Sequence, residues 1–377
     1  MNKCKVCFGD LFSVPLLNYK NMPKAAQFMP TVETLQDDVG VDLEVCQCSG
    51  CGLVQLSNAP VPYHKEVIRA TAISEQMGQF RMKQFKDFVS RYSLQCKKVI
   101  EIGCGRGEYL SIMKEAGVEA YGLEYSESSV KECIANGLRV SKGFIEKEDY
   151  RLNNGSFDAF FIMSFLEHLP DPKTVLQGIC NNLSVDAVGL VEVPNFDMII
   201  RSNLFSEFIG DHLFYFTQDT LCRTLSLNGF EVLECDNVWH DYIISATVRK
   251  RKQLDLSSFG IIQDKIKSEL TEYIKQFPKK EVAIWGAGHQ SLAVIALAEL
   301  QDMIRYVVDS APFKQGKYTQ ATHIPIVSPR ELETDPVEAV IIIAAAYSNE
   351  VLKIMQNDYA NIKHVSVLED KGLKVFY

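Results

Sequence analysis

Twice in this 377-residue chain a short apolar run breaks into clustered glycines and gives way to a helical pattern. Such a strand, tight turn and helix N-terminus is the repeating unit of a parallel α/β sheet. The first copy runs from Lys97 to Ile102, turns through Gly103-Cys104-Gly105-Arg106-Gly107, and continues as a helical pattern from Glu108 to Ala116. Three residues without a Cβ let a ligand approach the backbone where side chains would block it. The second copy, Val282 to Trp285 followed by Gly286-Ala287-Gly288-His289-Gln290-Ser291, has a serine in the third glycine's place.

Each turn is followed by an apolar stretch that ends in an acid, Glu124 in the first case and Asp309 in the second. A separation of about 20 residues lets such a carboxylate accept the hydroxyls of a ribose held at the turn. Further buried-strand patterns at Ser156–Met163 and Gly189–Pro194 alternate with helical ones. The expected fold is therefore α/β, with a central doubly wound sheet that binds ligands at the carboxyl ends of its strands. An acid, Glu101, opens the first turn. A sulfonium with an amino acid tail favours a nearby carboxylate over the bare helix N-terminus that suits a phosphate. Glu101, Gly103, Gly105, Gly107 and Glu124 are accordingly predicted to hold S-adenosylmethionine (SAM).

Eleven cysteines are unevenly placed, with Cys4, Cys7, Cys46, Cys48 and Cys51 crowded near the start. The pairs Cys4/Cys7 and Cys48/Cys51 form two thiolate knuckles whose four sulfurs suit a tetrahedral zinc ion. Four protein ligands leave no open coordination position, so the predicted zinc is structural. The segment between the knuckles exceeds the usual 15–20 residues or so and must loop out. Cys46 is left to pack as a small apolar residue.

The length fits two or three domains. The boundaries read as a zinc-binding module over 1–75, a SAM domain over 76–250, and a Rossmann-like domain over 251–377. A polar linker at Lys250–Asp255 and an amphipathic helix over Ser257–Phe277 open the third. It holds about half of a dinucleotide fold, which favours a smaller nucleotide-cradling role over full NAD binding. A net charge of -9 argues against a nucleic-acid partner. No apolar run approaches the roughly 18 residues of a membrane span, and the opening residues lack an apolar leader. The expected location is the cytoplasm, with oligomeric state undetermined.

The middle of the chain resembles a class I SAM-dependent methyltransferase, which uses a post-strand motif like Ser164-Phe165-Leu166-Glu167-His168-Leu169-Pro170-Asp171-Pro172 and a late helix-to-strand junction like Asn228-Gly229-Phe230. The order of parts over the whole chain is similar to the sugar-nucleotide C-methyltransferases. Its C-terminal marks are Gly286-Ala287-Gly288, Tyr306–Asp309, Lys314–Tyr318, His323–Ile326 and Tyr347–Glu350. The resemblance implies methylation of a carbon beside a ketone in a deoxysugar carried by a nucleoside diphosphate, with Gly286, Gly288, Asp309 and Tyr347 on the substrate. Those relatives use a Glu-His pair before an aromatic segment. Here the matching stretch, Gly210-Asp211-His212-Leu213-Phe214-Tyr215, has Asp in place of Glu.

His212 is the implied base, since carbon methylation needs an enolate and imidazole titrates near neutrality. Asp211, His168 and Tyr215 are its implied neighbours, with Asp211 or His168 orienting it or stabilising the enolate oxygen. The competing reading makes the two histidines satisfied structural residues, and Asp211 equally fits a helix N-cap. Two tyrosines expected from the relatives have no counterpart before Gly210 or around 69–74. Oxygen or nitrogen methylation of a related small molecule, and a non-catalytic NAD- or SAM-binding protein, are the competing readings.

Overall fold

The computed structural model describes residues 3–27, 29–67 and 73–377. The chain divides between Lys252 and Gln253 into two compact units. The first 75 residues, expected to stand alone, belong to the first unit, because the domain that follows supplies part of their sheet. Strands β1 (Leu17–Met22), β2 (Val41–Gln47) and β3 (Val54–Leu56) are antiparallel neighbours.

The central sheet takes β4 (Lys98–Ile102), β5 (Glu119–Glu124), β6 (Arg139–Lys142), β7 (Phe157–Met163) and β8 (Leu183–Pro194), all parallel. The next strand, β9 (Phe214–Tyr215), leaves that sheet and pairs with β3. An antiparallel hairpin, β10 (Phe230–Val238) and β11 (Ile243–Lys250), then closes the edge beside β8. The order β10-β11-β8-β7-β4-β5-β6 reverses direction next to β4. A crevice therefore opens at the carboxyl end of β4, where the glycine turn begins.

Burial on both faces explains why β7 reads as an unbroken apolar run. Phe157, Phe160 and Ile162 enter one core while Ala159, Phe161 and Met163 enter the other. Phe160 pairs with Gly189 of β8, and a Cβ there would lie 2.1 Å from the Phe160 ring. Helices α1 (Glu75–Arg91), α2 (Glu108–Glu115), α3 (Glu127–Ala135), α4 (Pro172–Asn181), α5 (Phe196–Arg201) and α6 (Gln218–Leu227) complete the unit. Ser74 caps α1 by accepting from the Met77 amide, and Asp171 caps α4 by accepting from Thr174. The predicted junction at Asn228-Gly229-Phe230 falls between α6 and β10, with Gly229 at φ +96°.

The second unit repeats the plan. After α7 (Ser257–Ile274) come β12 (Val282–Trp285), α8 (His289–Leu297), β13 (Val307–Val308), β14 (Lys317–Tyr318), β15 (Pro325–Val327), β16 (Ala339–Ile342), β17 (His364–Glu369) and β18 (Gly372–Val375). Their order, β14-β15-β13-β12-β16-β17-β18, reverses beside β12. Only the two edge strands, β14 and β18, run antiparallel.

Candidate active site

All three glycines of the first turn lie at positive φ: Gly103 at +72°, Gly105 at +53° and Gly107 at +82°. A side chain at Gly103 would meet the Phe165 ring at 2.5 Å, and one at Gly107 would meet Leu138 at 2.4 Å. Glu101 is buried at the end of β4, directly before the turn. The Glu124 carboxylate is fixed from both sides, accepting the Gly105 amide on Oε2 and the Ser126 amide on Oε1, each at 2.8 Å. Each oxygen keeps a lone pair, which is what a ribose diol needs. Burial raises the Glu124 carboxyl above the usual range, with the amides of Ser126 and Gly105 acting against it. The rings of Tyr125 and Phe144 stand 6.4 Å apart beside it, and Lys65 lies over both. Together they line a pocket with an anionic floor and aromatic walls.

Phe165 joins this crevice to a cluster of polar groups. It follows Ser164, itself at φ +53°, and its ring is 6.5 Å from that of His168. His168 is 4.8 Å ring to ring from His212, whose ring is 6.3 Å from Tyr215. Three of the four residues expected at the chemistry are thus together. Burial lowers both imidazoles, and His212, beside His168, is brought down to about 3.

Asp211 behaves otherwise than expected. Its carboxylate turns away from His212, accepting the Tyr63 hydroxyl at 2.7 Å and the Ala26 amide at 2.9 Å. It caps no helix. Its backbone carbonyl instead receives His168 Nδ1 at 2.8 Å. A carbonyl only accepts, so Nδ1 carries the proton and Nε2 offers a lone pair. Tyr215 is also committed, its hydroxyl bridging the amide and carbonyl of Ile209 and closing the 209–215 loop on itself. Tyr63 was not foreseen. The expected tyrosine positions at 69–72 lie outside the described residues.

Tyr63 and Ala26 both precede α1, so the loop that carries His212 is tied to the N-terminal module at its side chains. It is tied at its backbone as well, through β9 and through the Leu56 amide bonded to the Leu213 carbonyl. Within that module the four predicted sulfurs converge, all within 4.8 Å of one another, with Cys4 and Cys51 at 3.6 Å and Cys7 and Cys48 at 3.5 Å. A tetrahedral Zn–S length of about 2.3 Å implies sulfur separations near 3.8 Å, so the set fits zinc. Amides of Gly9, Gly50 and Cys51 point at Cys7 and Cys48, as thiolates require. Cys46 is buried outside this set.

In the second unit, Gly286 lies at φ +126° and a Cβ there would strike the Ile343 carbonyl at 2.3 Å. Gly288 starts α8 in ordinary extended geometry. Asp309 copies Glu124 closely, accepting the amides of Ala287 and Ala311 at 2.8 and 2.9 Å, and adds an ion pair to Lys314 at 2.8 Å. Tyr347 is 69% exposed and follows β16, next to the strand bearing the turn.

The fold and the glycine turn define a class I SAM-dependent methyltransferase, and comparison with known proteins agrees. A family described as a methyltransferase domain matches residues 75–235, and one described as a C-methyltransferase C-terminal domain matches 250–365. Together the two matches support a SAM-dependent methyltransferase whose C-terminal part is similar to that of C-methyltransferases. It is 21% identical to the C-methyltransferase NovU of Streptomyces niveus over 93% of this chain and 91% of that one. A ubiquinone biosynthesis O-methyltransferase of Haemophilus ducreyi is 35% identical over 108 residues, covering 26% of this chain and 46% of that enzyme. Among solved structures, the PH0226 protein of Pyrococcus horikoshii covers 50% of this chain and 98% of its own, at TM-score 0.41 and 13% identity. No helix among the described residues is long and apolar enough to cross a membrane.

Proposed function

We propose that the enzyme transfers the SAM methyl group to a carbon beside a ketone in a deoxysugar borne on a nucleoside diphosphate, with His212 as the base. The observation that carries the reading is the position of a neutral imidazole next to the glycine turn, linked to it through Phe165. NovU, a C-methyltransferase similar along nearly the whole chain, supports the choice of carbon.

SAM supplies an electrophilic methyl group on a sulfonium. The chain's own residues do the rest. His212 takes the proton from the carbon beside the carbonyl, the electron pair moves to give an enolate, and that carbon attacks the methyl in line as the S–CH₃ bond breaks, releasing the neutral thioether S-adenosylhomocysteine and restoring the carbonyl. His212 then returns its proton to solvent. His168, its tautomer set by the Asp211 carbonyl, holds the His212 ring in place, and Tyr215 braces the loop. The substrate's nucleotide is assigned to the second unit, at Gly286, Gly288, Asp309 and Tyr347. The three segments 1–75, 76–250 and 251–377 serve as zinc-held brace, SAM domain and nucleotide cradle. A cytoplasmic setting suits eleven cysteines that form no disulfide. The O-methyltransferase relatives keep oxygen methylation as the second reading.

The test is exchange. Enzyme in deuterated water with a nucleoside-diphosphate keto-deoxysugar and the spent cofactor should exchange the hydrogen beside the ketone, and His212→Ala should lose about 10²–10⁴-fold of that rate. Retained exchange in His212→Ala removes His212 as base.

A further inference from the structure

A base with a pKa near 3 is a poor proton acceptor at neutral pH, because general-base catalysis works best when the catalytic pKa lies near the operating pH. A neighbouring negative charge would strengthen it. The group in reach is Glu167, a residue of the post-strand motif to which the mechanism above gives no role. It lies in the short 3₁₀ turn Leu166–His168 just after β7 and is 1% exposed. Its Oε2 has no hydrogen-bond partner, and its Oε1 is 3.9 Å from His168 Nε2. Glu167, His168 and His212 each place one donor atom within 4.8 Å of the other two. Of the three, only His212 is partly open to solvent.

We infer that Glu167 is a positioning residue that acts through His212, its buried carboxylate raising the basicity of the imidazole that faces the crevice. Because His168 Nδ1 donates to the Asp211 carbonyl, its Nε2 presents a lone pair to the shared space. A protonated Glu167 can donate to that lone pair, whereas an ionised one is repelled by it and turns its charge toward His212. Burial pushes the Glu167 carboxyl up to about 8. The other titratable groups around it are His168 on its own turn, Asp211, His212 and Tyr215 from the loop and β9, and Tyr242 from the β10–β11 hairpin. The Asp211 charge is already taken by Tyr63 and Ala26, which leaves Glu167 as the carboxylate free to serve His212.

The sign follows directly. Below about 8 Glu167 is neutral and His212 weak; as pH rises through that value the proton leaves Glu167 for solvent and His212 becomes the stronger base. Proton abstraction should therefore accelerate with pH across that range. The inference rests on His212 being the base, and the tests separate the two.

The experiment is an NMR pH titration of the full zinc-loaded chain with histidine ring labels and S-adenosylhomocysteine bound, His212 being assigned by its loss in His212→Asn. The His212 signals should show an inflection near pH 8. Glu167→Gln should abolish it, Glu167→Asp should keep it, and in Glu167→Gln the exchange rate at pH 9 should fall about 10–10²-fold with cofactor affinity unchanged. A wild-type His212 without that inflection, or an inflection that survives in Glu167→Gln, overturns the assignment. Should Glu167→Gln not fold, the wild-type curve alone decides. Exchange lost in His212→Ala with no inflection sinks only Glu167; exchange retained there sinks the base itself.

Discussion

Replacing Glu124 tests the candidate cofactor site at its buried carboxylate. Each carboxylate oxygen accepts one backbone amide, from Gly105 and from Ser126, and keeps a lone pair for one ribose hydroxyl. Glu124→Ala removes a charged acceptor for the diol, a loss of about 1.5–3 kcal/mol, or roughly 10- to 100-fold in affinity. It also leaves two amides unpaired, so the turn itself should weaken, and the variant should unfold about 1–3 kcal/mol more easily. Glu124→Gln is no rescue, because its NH₂ must face one of those two N–H groups. The assay is calorimetry with S-adenosylhomocysteine. Since the ionised carboxylate is the binding form and its pKa is raised, affinity should fall with falling pH, starting above the ordinary glutamate value of 4.5. Unchanged affinity in Glu124→Ala would remove this residue from the site.

Four further outcomes are expected. Metal analysis should find one zinc per chain, and Cys4→Ser should lose both metal and stability; less than half an equivalent in fresh protein would count against the site. Gly107→Ala, at φ +82° with Leu138 2.4 Å from the new Cβ, should abolish cofactor binding, and wild-type binding would contradict the geometry. Tyr63→Phe should cost about 1.5–3 kcal/mol in denaturant titration by depriving the buried Asp211 carboxylate of a donor, and should slow turnover more than it weakens cofactor binding. A chelator should likewise impair turnover more than cofactor affinity if the four cysteines hold zinc, because β9 and the His212 loop hang on the module that carries them.

Much of this was legible in the sequence because it depends on local chemistry. Glycines that must adopt positive φ, an acid at a strand end and paired cysteines are recognisable without any partner in space. The strand Lys98–Ile102 and the junction at Gly229 lie where the pattern puts them. What stayed hidden depends on contacts between distant segments. Asp211 looked like the partner of its neighbour His212, yet its carboxylate reaches 148 residues back to Tyr63. β6 went unseen because Arg139-Val140-Ser141-Lys142 is a short, half-exposed edge with no apolar run. The first 75 residues read as a separate module because nothing in them reveals that their last strand, Phe214–Tyr215, is donated from far along the chain. Glu167 sat in a familiar motif, and only its burial with one carboxylate oxygen unpartnered marks it out.

The central claim is that the methyl group goes to carbon. Incubating the enzyme with SAM labelled with ¹³C at its methyl and a set of nucleoside-diphosphate keto-deoxysugars, and recording a carbon–proton correlation spectrum of the product, tests it directly. A new C–CH₃ signal coupled to the ring carbon beside the ketone, which is regenerated when the enolate attacks through carbon, is expected. A labelled methyl on oxygen or nitrogen would contradict it.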